Sequence, residues 1–173
     1  MALGYNVRGP ALLSLGVGAE GALLAAGYSE RGIKPRIIKS YSRIFDDRSG
    51  PMVPAELQDA GEIMVITANL ITIDWDVLMA AANRGDRTSR GLANTRGLLI
   101  GGSGSAFPLA ITSANDAPLY CPTCIIEPEC AMAFGTMAAT DDITILAWPY
   151  MAPGSSSSKD TPLYSRSLSL PDD

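Results

Sequence analysis

The clearest element in the chain is a long apolar segment from Glu62 to Asp74, in which β-branched residues predominate. Strand alternation sends its apolar residues to two sides, with Ile63, Val65, Ile71 and Ile73 on one and Met64, Ile66, Ala68 and Leu70 on the other. A strand that is apolar on both sides is covered on both sides, either inside a sandwich or at an interface between subunits.

The next segment has the pattern of a short helix over about residues 75–84. Asp74 or Asp76 is placed to cap its first turn, and three alanines raise its helix propensity. Gly85 is suited to the left-handed residue that ends a helix. The polar, Arg-rich stretch from Gly85 to Gly97 is predicted to be a loop.

Most of the remaining apolar segments are short and separated by turn residues, which is typical of strands. They are Leu12–Leu15, Ala22–Ala26, Ile33–Phe45, Leu98–Ile100, Phe107–Ser113, Tyr120–Glu127 and Ile143–Trp148. Together with a single helix they predict a mainly β fold, an antiparallel β-sandwich or barrel, over residues 1–152.

Residues 153–173 are rich in Ser and Pro and predict a flexible C-terminal arm. Within this arm, Leu163 to Leu170 alternate between apolar and polar residues. Two alternatives remain open for this stretch: it is disordered, or it adds a strand to the sheet edge of a neighbouring subunit.

Composition excludes several classes of function. The chain has 173 residues, of which 47% are hydrophobic and 18% charged, enough to bury a core. It has no His, which removes His-based triads and His-ligated zinc. A net charge of −5 argues against tight binding to nucleic acid. The chain has no long apolar run and no signal-peptide pattern. It is therefore predicted to have no membrane partner and not to be exported from the cytoplasm.

Charge is unevenly distributed along the chain. Basic residues are concentrated in two stretches, and the candidate interface bases among them are Arg31, Lys34, Arg36, Lys39, Arg43, Arg84, Arg87 and Arg90. Residues 97–158 contain no base, and their candidate interface acids are Glu127, Glu129, Asp141 and Asp142. These charges belong either to ordinary solvated loops or to complementary patches, which favour head-to-tail self-association.

Three cysteines, Cys121, Cys124 and Cys130, form the one cluster with potential chemistry. Zinc needs a fourth ligand, which only a carboxylate such as Glu127 or Glu129 supplies, and no helix follows to activate a redox thiol. The odd spacing in a strand predicts that Cys121 and Cys124 face opposite ways. Buried thiols and a disulfide between subunits are the remaining alternatives.

Two glycine-rich segments resemble nucleotide-binding loops only superficially. Gly16–Gly21 matches GxGxxG, but the helix that should follow is cut by Gly27, so a hairpin turn is favoured. Gly101–Ser105 lacks the Lys of a P-loop and precedes Pro108. With no carboxylate pair joined to a site, the sequence predicts no enzyme activity, no catalytic residue, no cofactor and no metal.

The order of turns and strands over about residues 8–150 resembles the tail-tube and tube-like neck proteins of tailed bacteriophages. The segments that carry the resemblance are Arg8–Ala11, Gly27–Gly32, Asp46–Gly50, Val53–Glu62, Asp74, Met132–Thr136 and Ile143–Pro149. The resemblance implies a β-sandwich or barrel with one helix. It also implies hexameric rings that stack into a tube through which DNA passes.

The same resemblance implies a place in the virion after assembly in the host cytoplasm. Its partners are copies of the chain and other tail proteins, such as the sheath, tape measure and terminator. A neck, tail-terminator or collar protein is the alternative within this family. A small thiol redox or metal-binding protein that uses Cys121, Cys124 and Cys130 is the alternative of another class.

Overall fold

The computed structural model describes residues 10–45, 54, 56–82, 106–114, 116–127, 141–149 and 162–168. The described chain is mainly β, with eight strands and one α-helix. The strands are β1 (Ala11–Leu15), β2 (Leu24–Ser29), β3 (Ile33–Ile44), β4 (Glu56–Leu70), β5 (Thr72–Ile73), β6 (Phe107–Ser113), β7 (Asp116–Ile126) and β8 (Asp141–Ala147), and the helix is α1 (Trp75–Ala82). The predicted mainly β, antiparallel fold with one short helix is confirmed. The predicted strand Leu98–Ile100 lies outside the described residues.

All eight strands belong to one antiparallel sheet in the order β3-β4-β8-β7-β6-β1-β2-β5. The sheet is strongly curled, because β5 continues the chain of β4 after Ile71 yet pairs with β2 near the opposite end. The Ile71 amide donates to the Tyr28 carbonyl at 2.8 Å, and this hydrogen bond holds the start of β5 against β2. The sheet is open rather than closed into a complete barrel, and β3 is a free edge of its described part.

One hydrophobic core fills the inside of the curled sheet, and α1 covers it. Four helix residues, Val77, Leu78, Ala80 and Ala81, are buried in the same cluster as the inward strand residues. The Asp74 carboxylate accepts hydrogen bonds from the amides of Asp76 and Val77 at 3.1 and 3.2 Å. Asp74 is therefore the N-cap, which satisfies amides that the first helical turn leaves unpaired.

The two faces of β4 have different environments. Met64, Ile66, Ala68 and Leu70 are completely buried. On the other face Ile63 remains 42% exposed, as does Ile71 just beyond the strand. The curled sheet encloses only its inner side, so cover on both faces by a sandwich interior is wrong, and cover of the outer face by another subunit stays a prediction.

The β3–β4 hairpin extends past the core. Beyond Ile38 the residues of β3 are exposed, as are those of β4 before Glu62. A bulge lies where Ser40 and Tyr41 pair with Gly61 and Asp59, and Gly61 has a φ of 117°, which favours glycine. An isolated two-stranded hairpin is only marginally stable in water, and the described part of the chain leaves these residues exposed.

Gly27 is required where β2 meets β5. It pairs with Ile73, and a Cβ built on it collides with the Thr72 carbonyl oxygen. Any larger residue would push β5 away from β2 and open the place where the sheet returns on itself.

The C-terminal arm is described over Pro162–Leu168, and this part packs on its own chain. Leu163 is 5% exposed and belongs to the core cluster. Ser165 forms an antiparallel bridge with Tyr120 of β7. The sequence left open disorder or addition to a neighbour's edge, and the structure shows docking in cis. The predicted domain boundary after residue 152 lies outside the described residues.

Candidate self-association surfaces

Strand β3 and the turn that precedes it form a basic edge of the sheet. The five bases predicted here, Arg31, Lys34, Arg36, Lys39 and Arg43, are all exposed. Of these, only Lys39 forms an ion pair with another described residue: its Nζ lies 3.3 Å from the Glu62 carboxylate. The hydrogen bond and charge of Glu62 raise the pKa of Lys39. We call these five residues the basic edge.

Of the predicted interface acids, Glu127 lies in the same part of the sheet as the basic edge. Lys34, Thr67, Thr144 and Glu127 lie in one row across β3, β4, β8 and β7. With strands about 4.8 Å apart, Lys34 and Glu127 are separated by only about 14 Å along this row. Asp141 and Asp142 begin β8 in the same part of the sheet. Arg84, Arg87, Arg90 and Glu129 lie outside the described residues.

A different acidic surface lies at the far end of the strand order. An open pocket of about 450 Å³ is bounded by β2, β5 and the start of α1. Its lining includes the carboxylate residues Asp74 and Asp76 together with Tyr28 and Trp75, which are 49% and 41% exposed. Carboxylates and aromatic faces both attract guanidinium and ammonium groups. We call this surface the acidic pocket.

Sequence reasoning missed the acidic pocket. It assigned Asp74 and Asp76 only to capping the helix, and it gave Tyr28 no role in a site. The pocket exists because β5 returns to β2, a contact between distant parts of the chain. The adjacency of Trp75 to two acids was the one signal in the sequence that pointed to it.

The outer face of β3, β4, β8 and β7 carries an apolar patch. Ile38 pairs with Ile63, while Val65 is opposite Leu146, which in turn is opposite Ile125. Residues opposite one another in neighbouring strands share a face of the sheet. Ile63 is exposed and the other four are partly exposed. Contiguous exposed apolar residues mark interaction surfaces more often than isolated ones do.

Cys121 and Cys124 both face the core and are completely buried. The prediction that they face opposite ways is wrong, because a bulge opposite Phe107 and Leu109 adds one residue to β7. The Cys121 thiol contacts the Met64 sulfur at 3.9 Å, and the Cys124 thiol donates to the Cys121 carbonyl at 3.7 Å.

Burial raises the pKa of Cys124 well above its ordinary value, so this thiol is held neutral. A disulfide to another subunit through Cys121 or Cys124 would require the core to open, and Cys130 lies outside the described residues. Within the described part of the chain, no three His, Cys, Asp or Glu residues are grouped so that they could hold a metal ion.

The Gly16–Gly21 segment is a turn between two strands. Leu15 pairs with Leu24, and the eight residues that connect β1 to β2 include a short 3-10 turn, Ala19–Gly21. The Gly16 amide donates to the Pro108 carbonyl at 2.7 Å, and Gly21 has a φ of 78°. The predicted hairpin turn is confirmed. Gly101–Ser105 lies outside the described residues.

Comparison with known proteins identifies no relative: no family model, curated protein or solved structure matches this chain. Among the described residues, no helix has both the length and the apolar character needed to cross a bilayer.

Proposed function

We propose that this chain is a structural protein of a tailed-bacteriophage virion, which assembles head to tail into closed rings that form part of the tail tube. The resemblance over residues 8–150 supports this proposal and suggests six copies per ring. The observation that carries it is that one sheet presents two surfaces of opposite charge, the basic edge along β3 and the acidic pocket bounded by β2, β5 and α1.

Two different complementary patches on one chain favour a ring over a symmetric dimer. The basic edge of one copy fits the acidic pocket of the next, and that copy still presents its own basic edge. Such a heterologous contact repeats until the rotation between neighbours closes a ring. Arg36 and Lys34 supply the cations, and Asp76 with Trp75 supplies the carboxylate and aromatic face.

The outer apolar patch and the exposed hairpin supply area beyond the charged contact. Ile63 and its neighbours gain cover when another copy packs on the outer face of β4. A net charge of −5 suits a conduit for DNA, because an acidic wall does not hold phosphates. A neck, terminator or collar protein would use the same surfaces at a different position in the tail.

The thiol redox or metal alternative receives less support than assembly. Cys121 and Cys124 have no exposed surface, and a neutral buried thiol is a poor nucleophile and metal ligand.

Complementary charge reversal tests the proposed contact. Arg36→Glu and Asp76→Arg each reverse one patch, and Asp76 can be changed because the capping carboxylate belongs to Asp74. We expect each variant alone to lose assembly, and an equal mixture to regain it as alternating rings, by light scattering and negative-stain microscopy. Ala114→Asp, in an exposed turn, is the matched control and should assemble normally. A mixture that stays dissociated although both variants are folded would contradict the proposed contact.

A further inference from the structure

Strand β7 has two partners along one of its edges. Strand β8 pairs with it only at Cys124, Ile125 and Ile126. Upstream of these residues, the same strand is bridged by the C-terminal segment Pro162–Leu168, which we call the strap. The strap therefore occupies an edge that would otherwise be open to another strand.

The strap is bound by three kinds of contact. Tyr120 and Ser165 exchange two backbone hydrogen bonds, at 2.8 and 2.7 Å. An Arg166 guanidinium nitrogen lies 2.7 Å from the Asp116 carboxylate. Leu163 is buried in the core, and Tyr164 packs against it. Backbone pairing supplies affinity, while the leucine and the ion pair supply specificity, as in strand addition by a peptide.

The strap is joined to the sheet by a long connection. Twelve residues separate Pro149 from Pro162, and they span up to about 45 Å when extended. That reach covers the distance to an adjacent copy of a small domain. The same strap can thus occupy its own β7 or the β7 of a neighbour with identical contacts.

We propose that the strap is exchanged between copies, so that in the assembled protein the strap of one copy pairs with β7 of the next. This inference rests on the proposed function, because exchange needs neighbours held at high local concentration. The strap makes the same contacts with its own β7 as with the β7 of a neighbour. The length of the connection and the local concentration of neighbours therefore determine which β7 it pairs with. A vacated β7 exposes an unpaired edge and a leucine-sized hole, so a second strap is the complementary occupant.

Cysteine cross-linking distinguishes exchange from docking in cis. In a Cys130→Ser background, Tyr120→Cys is introduced into one protein and Ser165→Cys into another. Hydrogen-bonded pairs in antiparallel strands have Cα atoms about 5.5 Å apart, within the range of a disulfide. We expect mild oxidation of the assembled mixture to give linked dimers that neither variant gives alone. Ala114→Cys paired with Ser165→Cys is the control and should give none.

The oligomeric state of the same samples separates the two proposals. Assembled rings without linked dimers in the mixture, but with an internal cross-link in the double variant, would overturn exchange and leave assembly intact. A monomer at every concentration would overturn the proposed function itself. Charge reversal gives a second readout, because Asp116→Arg and Arg166→Asp should each lose strap protection in hydrogen exchange. Protection should return in their mixture if the strap is exchanged.

Discussion

Replacing Ile66 and Ile63 separately by alanine compares the two faces of β4 within one strand. Ile66 is completely buried, whereas Ile63 is 42% exposed. Ile66→Ala removes buried methyl and methylene groups and leaves a cavity in a core that relaxes only partly, which costs about 2–5 kcal/mol. Ile63→Ala loses only partial burial, so the dissociated chain should lose under about 1.5 kcal/mol.

Urea unfolding of the dissociated chain, followed by the fluorescence of Trp75 and Trp148, measures both losses. The two variants should retain the wild-type slope of free energy against urea, so that the shift in midpoint reports stability alone. The effect of Ile63→Ala should be larger in the assembled protein than in the dissociated chain, because this substitution should weaken assembly while leaving the monomer folded. Equal losses for the two variants in the dissociated chain would refute the assignment of inner and outer faces.

Three further outcomes follow from the core and its edges. Gly27→Ala should destabilise the chain by about 1–3 kcal/mol in thermal unfolding, because the new Cβ meets the Thr72 carbonyl. Ala25→Ser, at an exposed position of the same strand, is the control. Cys121 and Cys124 should resist a thiol reagent in the native state and react only in denaturant; rapid native reaction of either would contradict their burial. Burial raises the pKa of Cys124 above its ordinary value of 9.0, so the unfolded chain loses this thiol proton at a lower pH than the folded chain. The free energy of unfolding should therefore be constant below about pH 9 and fall above it. Urea midpoints measured below and above pH 9 test the direction of this change, and a rise in stability above pH 9 would contradict the prediction.

The alternation of apolar and polar residues predicted the strands well, because a strand's alternation can be read from residues that are adjacent in the sequence. The inner face of β4 and the Asp74 cap could both be predicted in this way. The bulge in β7 could not be predicted, since it depends on how Phe107 and Leu109 pair with a strand whose spacing looks regular. One added residue turned Cys124 to the same side as Cys121.

Only half of the candidate self-association surfaces could be predicted from the sequence. The basic edge follows from the concentration of bases between Arg31 and Arg43, which the distribution of charge along the sequence already identifies. The acidic pocket depends on the return of β5 to β2, and the docking of Ser165 on Tyr120 depends on a segment far along the chain. Such long-range pairings have no local signature, and the predicted acids Asp141 and Asp142 proved to begin β8, near the basic edge.

The most direct test of self-assembly is the mass and shape of the purified full chain over a wide range of concentration, by sedimentation and negative-stain microscopy. Self-assembly through the proposed contact predicts closed rings of uniform size, which high salt should dissociate because that contact is partly electrostatic. A folded monomer at every concentration and salt condition would contradict it.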